Sequence, residues 1–149
     1  MKIGELCSRV VIFVHEDESV RRAAELMRRY HVGSLVVTKY GDAEQKPLGT
    51  VTDRDIVVEV IARDVDPDEL TVGDIMGEKL VIASEDDELQ DVLEVMRRRG
   101  IRRVPVVDKA GALIGVLALD DLLEAFAEGL GAMAEIVSHQ RFQESRKRA

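Results

Sequence analysis

Thr52 and Asp55 stand three residues apart inside the segment GTVTDRDI (49–56), a spacing that brings both side chains onto one turn at a helix entrance. Two chemistries fit that spacing. In one, Thr52 caps the helix and Asp55, at the third position, completes a capping box and complements the positive end of the helix dipole. In the other, the Asp55 carboxylate, which can only accept, takes two hydrogen bonds from a vicinal diol. Backbone N–H groups of the same helix start would then meet a phosphate. Arg102 and Arg103 precede an apolar run that opens at Val104. Paired guanidiniums suit phosphate oxygens through charge-assisted, bidentate bonds, and they equally suit ion pairs with the abundant acids. Arg54 sits where the helix dipole disfavours a cation, which weighs toward a phosphate contact.

Other reactive side chains lack the company that chemistry needs. Cys7 reads as a small buried hydrophobe. His15, His31 and His139 have no metal-ligand spacing and no cysteine partner, so no metal site is expected. The acid runs Glu16–Asp17–Glu18 and Glu85–Asp86–Asp87–Glu88 precede helical stretches, where carboxylates are ordinary stabilisers, and they lack the alternation of a calcium loop. No Gly-rich phosphate loop, nucleophile elbow or cysteine–histidine pair is present, so no catalytic residue is assigned and the expectation is a non-enzyme. The chain has 149 residues with 21 Lys+Arg against 29 Asp+Glu, a formal charge of −8 that argues against nucleic acid as a partner. With 46% hydrophobic and 34% charged residues, a packed core is affordable and no apolar run reaches a membrane span. One cysteine and no apolar leader point to a cytoplasmic protein.

The elements that must position these residues come from an internal repeat. Shifted by 69 positions, residues 2–37 lie over 71–106 without a gap, with Met27–Arg28–Arg29 on Met96–Arg97–Arg98. Beyond the next turn the shift becomes 66, and LGTVTDRDIV (48–57) lies over IGVLALDDLL (114–123), the difference falling in a polar turn. Each unit predicts an apolar strand (10–14; 80–83), an amphipathic helix carrying Val20, Ala23, Ala24 and Met27 or Leu89, Val92, Leu93 and Met96, then a β pair. Those pairs are 34–38 with 48–52 and 103–107 with 113–118; a second helix follows near 53–63 and 120–130. The fold class is α/β: two β-α-β-β-α repeats packed about a pseudo-twofold axis, with a C-terminal helix. Units of roughly 60 residues are marginal alone and are expected to share one core. The expected divisions are repeat 1 at 1–66, repeat 2 at 67–130, and a helix with a basic tail at 131–149. Over 125–137, Phe126, Leu130, Met133 and Val137 run as a seam-like stripe, weakened locally by Gly129 and Gly131, and 138–149 reads as frayed or solvated.

VGDIM (72–76), RRVPVVD (102–108), GTVTDRDI (49–56) and the repeated element order, all in register twice, resemble a tandem pair of cystathionine-β-synthase (CBS) domains, the Bateman module. The resemblance covers Lys2 to about Leu130. It implies a regulatory module that binds AMP, ADP, ATP or S-adenosylmethionine between the repeats, commonly as a homodimer, and signals by conformational change to a separate regulated protein. The alternative is a dimeric interaction module that needs no ligand. By resemblance, Thr50, Thr52, Arg54 and Asp55 work with Val81, Arg102, Arg103 and Val104 of the other repeat, Asp55 holding the ribose. The second cleft would use Ile12, Gly33, Ser34, Val116, Ala118, Asp120 and Asp121. There Ala118 replaces the threonine, and Gly33–Ser34 stand where the first cleft has Arg102–Arg103. That cleft is expected to be the weaker one for phosphorylated ligands.

Overall fold

In each repeat the helical periodicity buries one stripe and leaves the arginines outside. The structure, a computed structural model, describes residues 1–77 and 80–148, so Ala149 of the expected tail lies outside the described residues. The elements run α1 (Ile3–Leu6), β1 (Phe13–His15), α2 (Val20–Tyr30), β2 (Ser34–Thr38), β3 (Pro47–Thr52), α3 (Asp53–Ile56), α4 (Val72–Ile75), β4 (Ala83–Ser84), α5 (Leu89–Arg99), β5 (Arg103–Val107), β6 (Leu113–Ala118) and α6 (Leu119–Arg148). Two three-stranded sheets form, in the orders β1-β2-β3 and β4-β5-β6. β1 runs parallel to β2 with Phe13 opposite Val36, and β3 returns antiparallel with Thr52 opposite Ser34. α2 starts at Ser19, whose hydroxyl accepts the Arg22 N–H, and ends at His31 in the left-handed region; α5 ends the same way at Gly100, its repeat equivalent.

Contacts divide the chain into Met1–Leu117 and Ala118–Ala149. Within the first unit the repeats exchange their leading segments. α4 and its flanks put Val72 and Ile75 into the core built by Val14, Val20, Ala23, Leu26, Met27, Leu35, Val37, Val51 and Val60 of repeat 1. The backbone bonds come in pseudo-twofold pairs. Gly73 N–H donates to Glu16 O (2.8 Å) and Gly4 N–H to Glu85 O (2.9 Å); Val20 N–H donates to Leu70 O (2.9 Å) and Leu89 N–H to Met1 O (2.9 Å). Farther along, Gly77 N–H reaches Thr50 O (3.3 Å), and Ser8 exchanges two bonds of 2.9 Å with Val116. Each leading segment thus lies on the sheet of the other repeat.

The leading segment of repeat 1 also carries an ion pair. Lys2 Nζ lies 2.6 Å from Glu88, whose other oxygen meets the Met1 amino group at 3.1 Å. The hydrogen bond from Lys2, followed by that from the amino terminus, holds the Glu88 carboxyl below the usual 4.5. A carboxyl depressed in the folded state stabilises the fold above its unfolded pKa, and that contribution disappears as pH falls through the lower folded value. In urea titrations the stability difference between wild type and Glu88→Gln should be constant above about pH 5 and close below pH 4. A difference that widens on acidification would reverse the assignment.

Three sequence expectations are corrected. The first strands are shorter and later than 10–14 and 80–83, because Val10 faces solvent and Val81 and Ile82 line a hollow instead of pairing. The helix expected over 53–63 is α-helical only to Ile56 and widens into a π turn at Val57–Ile61, with Val60 alone of that turn buried. The tail is helical and exposed, so of the two expected states it is solvated and not frayed. α6 continues to Arg148, with i,i+4 bonds Gln140–Glu144 (3.2 Å) and Gln143–His139 (2.9 Å) and Arg146 over the Phe142 ring. Among the described residues no helix is long and apolar enough to cross a membrane.

Candidate functional site

At the β3–α3 junction the local sequence forces a tight arrangement. Asp55 N–H donates to Thr52 Oγ1 (3.1 Å) and Thr52 N–H donates to Asp55 Oδ2 (2.9 Å), a full capping box. The capping chemistry of the T-x-x-D spacing is therefore present. It occupies one carboxylate oxygen; among the described residues no partner engages Asp55 Oδ1, and the side chain is half-buried. The same device recurs at α4, where Thr71 N–H donates to Asp74 Oδ2 (2.9 Å).

The other repeat reaches this junction through β5. Arg103 Nη1 donates to Ser34 Oγ at 3.3 Å, and Ser34 is the register partner of Thr52 across β2–β3. Ser34 and Arg103 are equivalent positions of the two repeats, assigned by sequence to different clefts, and here they touch. Arg102 and Arg54 are exposed, with the Arg54 N–H on Asp53 Oδ1 (2.8 Å). Thr50 is half-buried and its carbonyl receives Gly77. Val104 is fully buried and joins Val81 in lining a hollow of about 160 Å³ with Ile82, Val92, Val95, Asp87 and Asp91. Those last five residues were placed in neither cleft from the sequence. The i,i+3 pair Val92 and Val95 on α5 was the available signal, with Val95 left exposed beside buried Val92.

Of the second set, Ile12 packs against the repeat 1 core and Val116 is held by Ser8. Gly33 abuts Asp53, which donates its N–H to Gly33 O (3.0 Å) and whose carboxylate would crowd any Cβ there at 3.0 Å. Asp53 was likewise placed in neither cleft from the sequence. Ala118, Asp120 and Asp121 belong to the second unit, the two acids in the first turn of α6. Among the described residues no group of three or more His, Cys, Asp or Glu side chains is placed to hold a metal ion.

Comparison with known proteins bears on the fold and the family. An uncharacterised protein of Methanopyrus kandleri is 35% identical over 124 residues, 83% of this chain and 62% of that protein, so this chain spans under two thirds of that relative. Hypoxic response protein 1 of Mycobacterium tuberculosis is 31% identical over 118 residues. A crystal structure of Hypoxic Response Protein I with two coordinated zinc ions matches with a TM-score of 0.74 at 28% identity, over 83% of this chain and 98% of that one. The CBS domain protein PAE2072 of Pyrobaculum aerophilum, complexed with AMP, matches with a TM-score of 0.73 at 30% identity, over 82% of this chain and 90% of that one. The CBS domain family model matches residues 3–62 and 72–128, one in each repeat. Two matched repeats, their signature segments in register and their leading segments exchanged, place this chain in the CBS domain family as a tandem pair.

Proposed function

We propose that the chain is a regulatory CBS pair that binds a phosphorylated adenosine ligand (AMP, ADP or ATP) at the β3–α3 junction of repeat 1 and transmits occupancy as a conformational shift. Thr50, Thr52, Arg54 and Asp55 would hold ribose and phosphate, Arg102 and Arg103 would neutralise phosphate, and Val81 and Val104 would face the base. The observation that carries the reading is the Asp55 oxygen that no described residue engages, fixed by its capping box beside the strand that Arg103 of the other repeat reaches. AMP in a relative 30% identical over most of the chain supports the ligand class. A ligand spanning both repeats would favour one arrangement of them over others. The protein is proposed as a cytoplasmic homodimer without catalytic activity, its halves 1–66 and 67–130 followed by 131–149.

Calorimetric titration with AMP, ADP, ATP and S-adenosylmethionine tests this. Saturable binding of a nucleotide is expected, with a gain of about 2.7 kcal/mol in stability at ligand concentrations of about 100 Kd. Binding by S-adenosylmethionine alone would replace the ligand. Absence of binding by all four would leave a ligand-independent interaction module as the function.

A further inference from the structure

The hollow of about 160 Å³ in repeat 2 is lined from β5, α5 and the lead-in to β4, with the fully buried Val104 at its floor. Val81, Ile82, Val92 and Val95 make its walls apolar, and Asp87 and Asp91 add two carboxylates. An apolar cavity of about 150 Å³ holds benzene, so this hollow has room for one flat base and none for a sugar and phosphate. Repeat 1 is bulkier at the same place. Counting back 69 positions, Ile12, Phe13 and Leu26 stand where repeat 2 has Val81, Ile82 and Val95. Leu26 is 8% exposed, whereas Val95 is 38% exposed at the edge of the hollow.

The two carboxylates differ in what the fold asks of them. Asp87 Oδ2 accepts the Ser84 N–H (2.9 Å), and in repeat 1 Glu18 accepts the His15 N–H (2.8 Å) in the same way, so this turn is built twice. Asp91 has no such counterpart, because Arg22 stands at that position of repeat 1 and pairs with Glu25 at 3.6 Å. Among the described residues no partner engages the Asp91 carboxylate or Asp87 Oδ1. A carboxylate only accepts hydrogen bonds, so the pair suits a base with an exocyclic amine and repels one with an oxygen there. The 6-position of a purine offers that choice: an amine in adenine, an oxygen in guanine and hypoxanthine. Contacts continue from the hollow to the β3–α3 junction. Arg103, next to Val104, donates to Ser34, and Ser34 pairs with Thr52.

We infer that Asp91, together with Asp87, selects adenine over 6-oxopurines by accepting hydrogen bonds from the 6-amino group of a base seated in this hollow. This rests on the nucleotide reading above and adds the residues that choose the base. Calorimetric titration with AMP, IMP and GMP tests it, since all three share ribose and phosphate. Wild type should prefer AMP to IMP and GMP by roughly 10- to 150-fold, the loss of hydrogen bonds to charged acceptors. Asp91→Asn, whose amide also donates, should cut the preference for AMP over IMP at least about fivefold. It forfeits only a carboxylate in the first turn of α5, so helix content by circular dichroism should be unchanged. Val95→Phe, at the edge of the hollow, should weaken AMP and IMP alike by roughly tenfold or more. Equal affinity for AMP and IMP in wild type overturns the inference while leaving nucleotide binding at the Asp55 cleft in place. A preference for AMP that survives both Asp91→Asn and Asp87→Asn overturns it too, because the base is then read elsewhere. Adenosine and inosine repeat the comparison without phosphate. A preference for adenosine that falls in Asp91→Asn upholds the hollow even if the phosphate contacts fail, and binding of neither nucleoside nor nucleotide overturns both readings.

Discussion

Replacing Asp55 with asparagine should weaken binding of the phosphorylated adenosine ligand by roughly 10- to 150-fold, the cost of losing hydrogen bonds to a charged acceptor. The variant is chosen because Asp55 has two roles. Its Oδ2 accepts the Thr52 N–H in the capping box, and an asparagine amide oxygen can still accept that bond. Asp55→Asn therefore removes charge while sparing most of the cap, which Asp55→Ala would not do. Asp74 supplies the control, since it closes an equivalent capping box at α4 outside the proposed cleft. Asp74→Asn should lower stability by a similar amount, about 1 kcal/mol or less, and leave the dissociation constant unchanged. Paired calorimetry and urea unfolding on both variants separate the roles. Equal affinity in wild type and Asp55→Asn would assign the carboxylate to helix capping alone.

What the chain discloses before folding is uneven, for physical reasons. Residues 34–38, 103–107 and 113–118 read as strands and fold as β2, β5 and β6 without adjustment, because both β-branched content and flanking turn residues point the same way. α2 and α5 start at the residues where their apolar periodicity starts. The exchange of leading segments is a different matter. Its bonds run between backbone groups far apart in sequence, such as Gly4 with Glu85 and Gly73 with Glu16, and a backbone bond leaves no side-chain pattern to read. The Ser34–Arg103 contact was hidden for a related reason. A residue and its own repeat equivalent face each other only across the pseudo-twofold axis, so an alignment that superposes them shows correspondence and conceals adjacency. The π turn after α3 likewise departs from the apolar period that predicted a plain helix.

The glycines of the exchange carry the largest expected stability effect. Gly49 begins the signature segment GTVTDRDI, and its reason lies in the backbone that crosses it: an added Cβ would sit 3.1 Å from Gly77 O and 3.2 Å from Met76 Sδ. At the equivalent Gly115 the fit is tighter, 2.7 Å from Ser8 O and 2.8 Å from Cys7 Sγ. The Gly115 neighbour is a carbonyl held in a two-bond bridge to Val116, which cannot yield without breaking both bonds. The thioether beside Gly49 can swing aside. Gly115→Ala should therefore cost about 2–4 kcal/mol, combining overpacking with two lost backbone bonds, and Gly49→Ala about 1–2 kcal/mol. Against the 5–15 kcal/mol typical of a small domain the first is a severe loss, visible as a lower urea midpoint. A local readout accompanies it, because Cys7 is the only cysteine and is half-buried under this contact. Lifting the segment off β6 exposes its thiol, so reaction with a disulfide reagent should accelerate by at least about tenfold in Gly115→Ala, since such opening need be populated only locally. Faster labelling without a fall in global stability would mean that the segment is held to β6 but contributes little to the fold. Unchanged labelling and unchanged stability together would remove the bridge from the account of why these two positions are glycine.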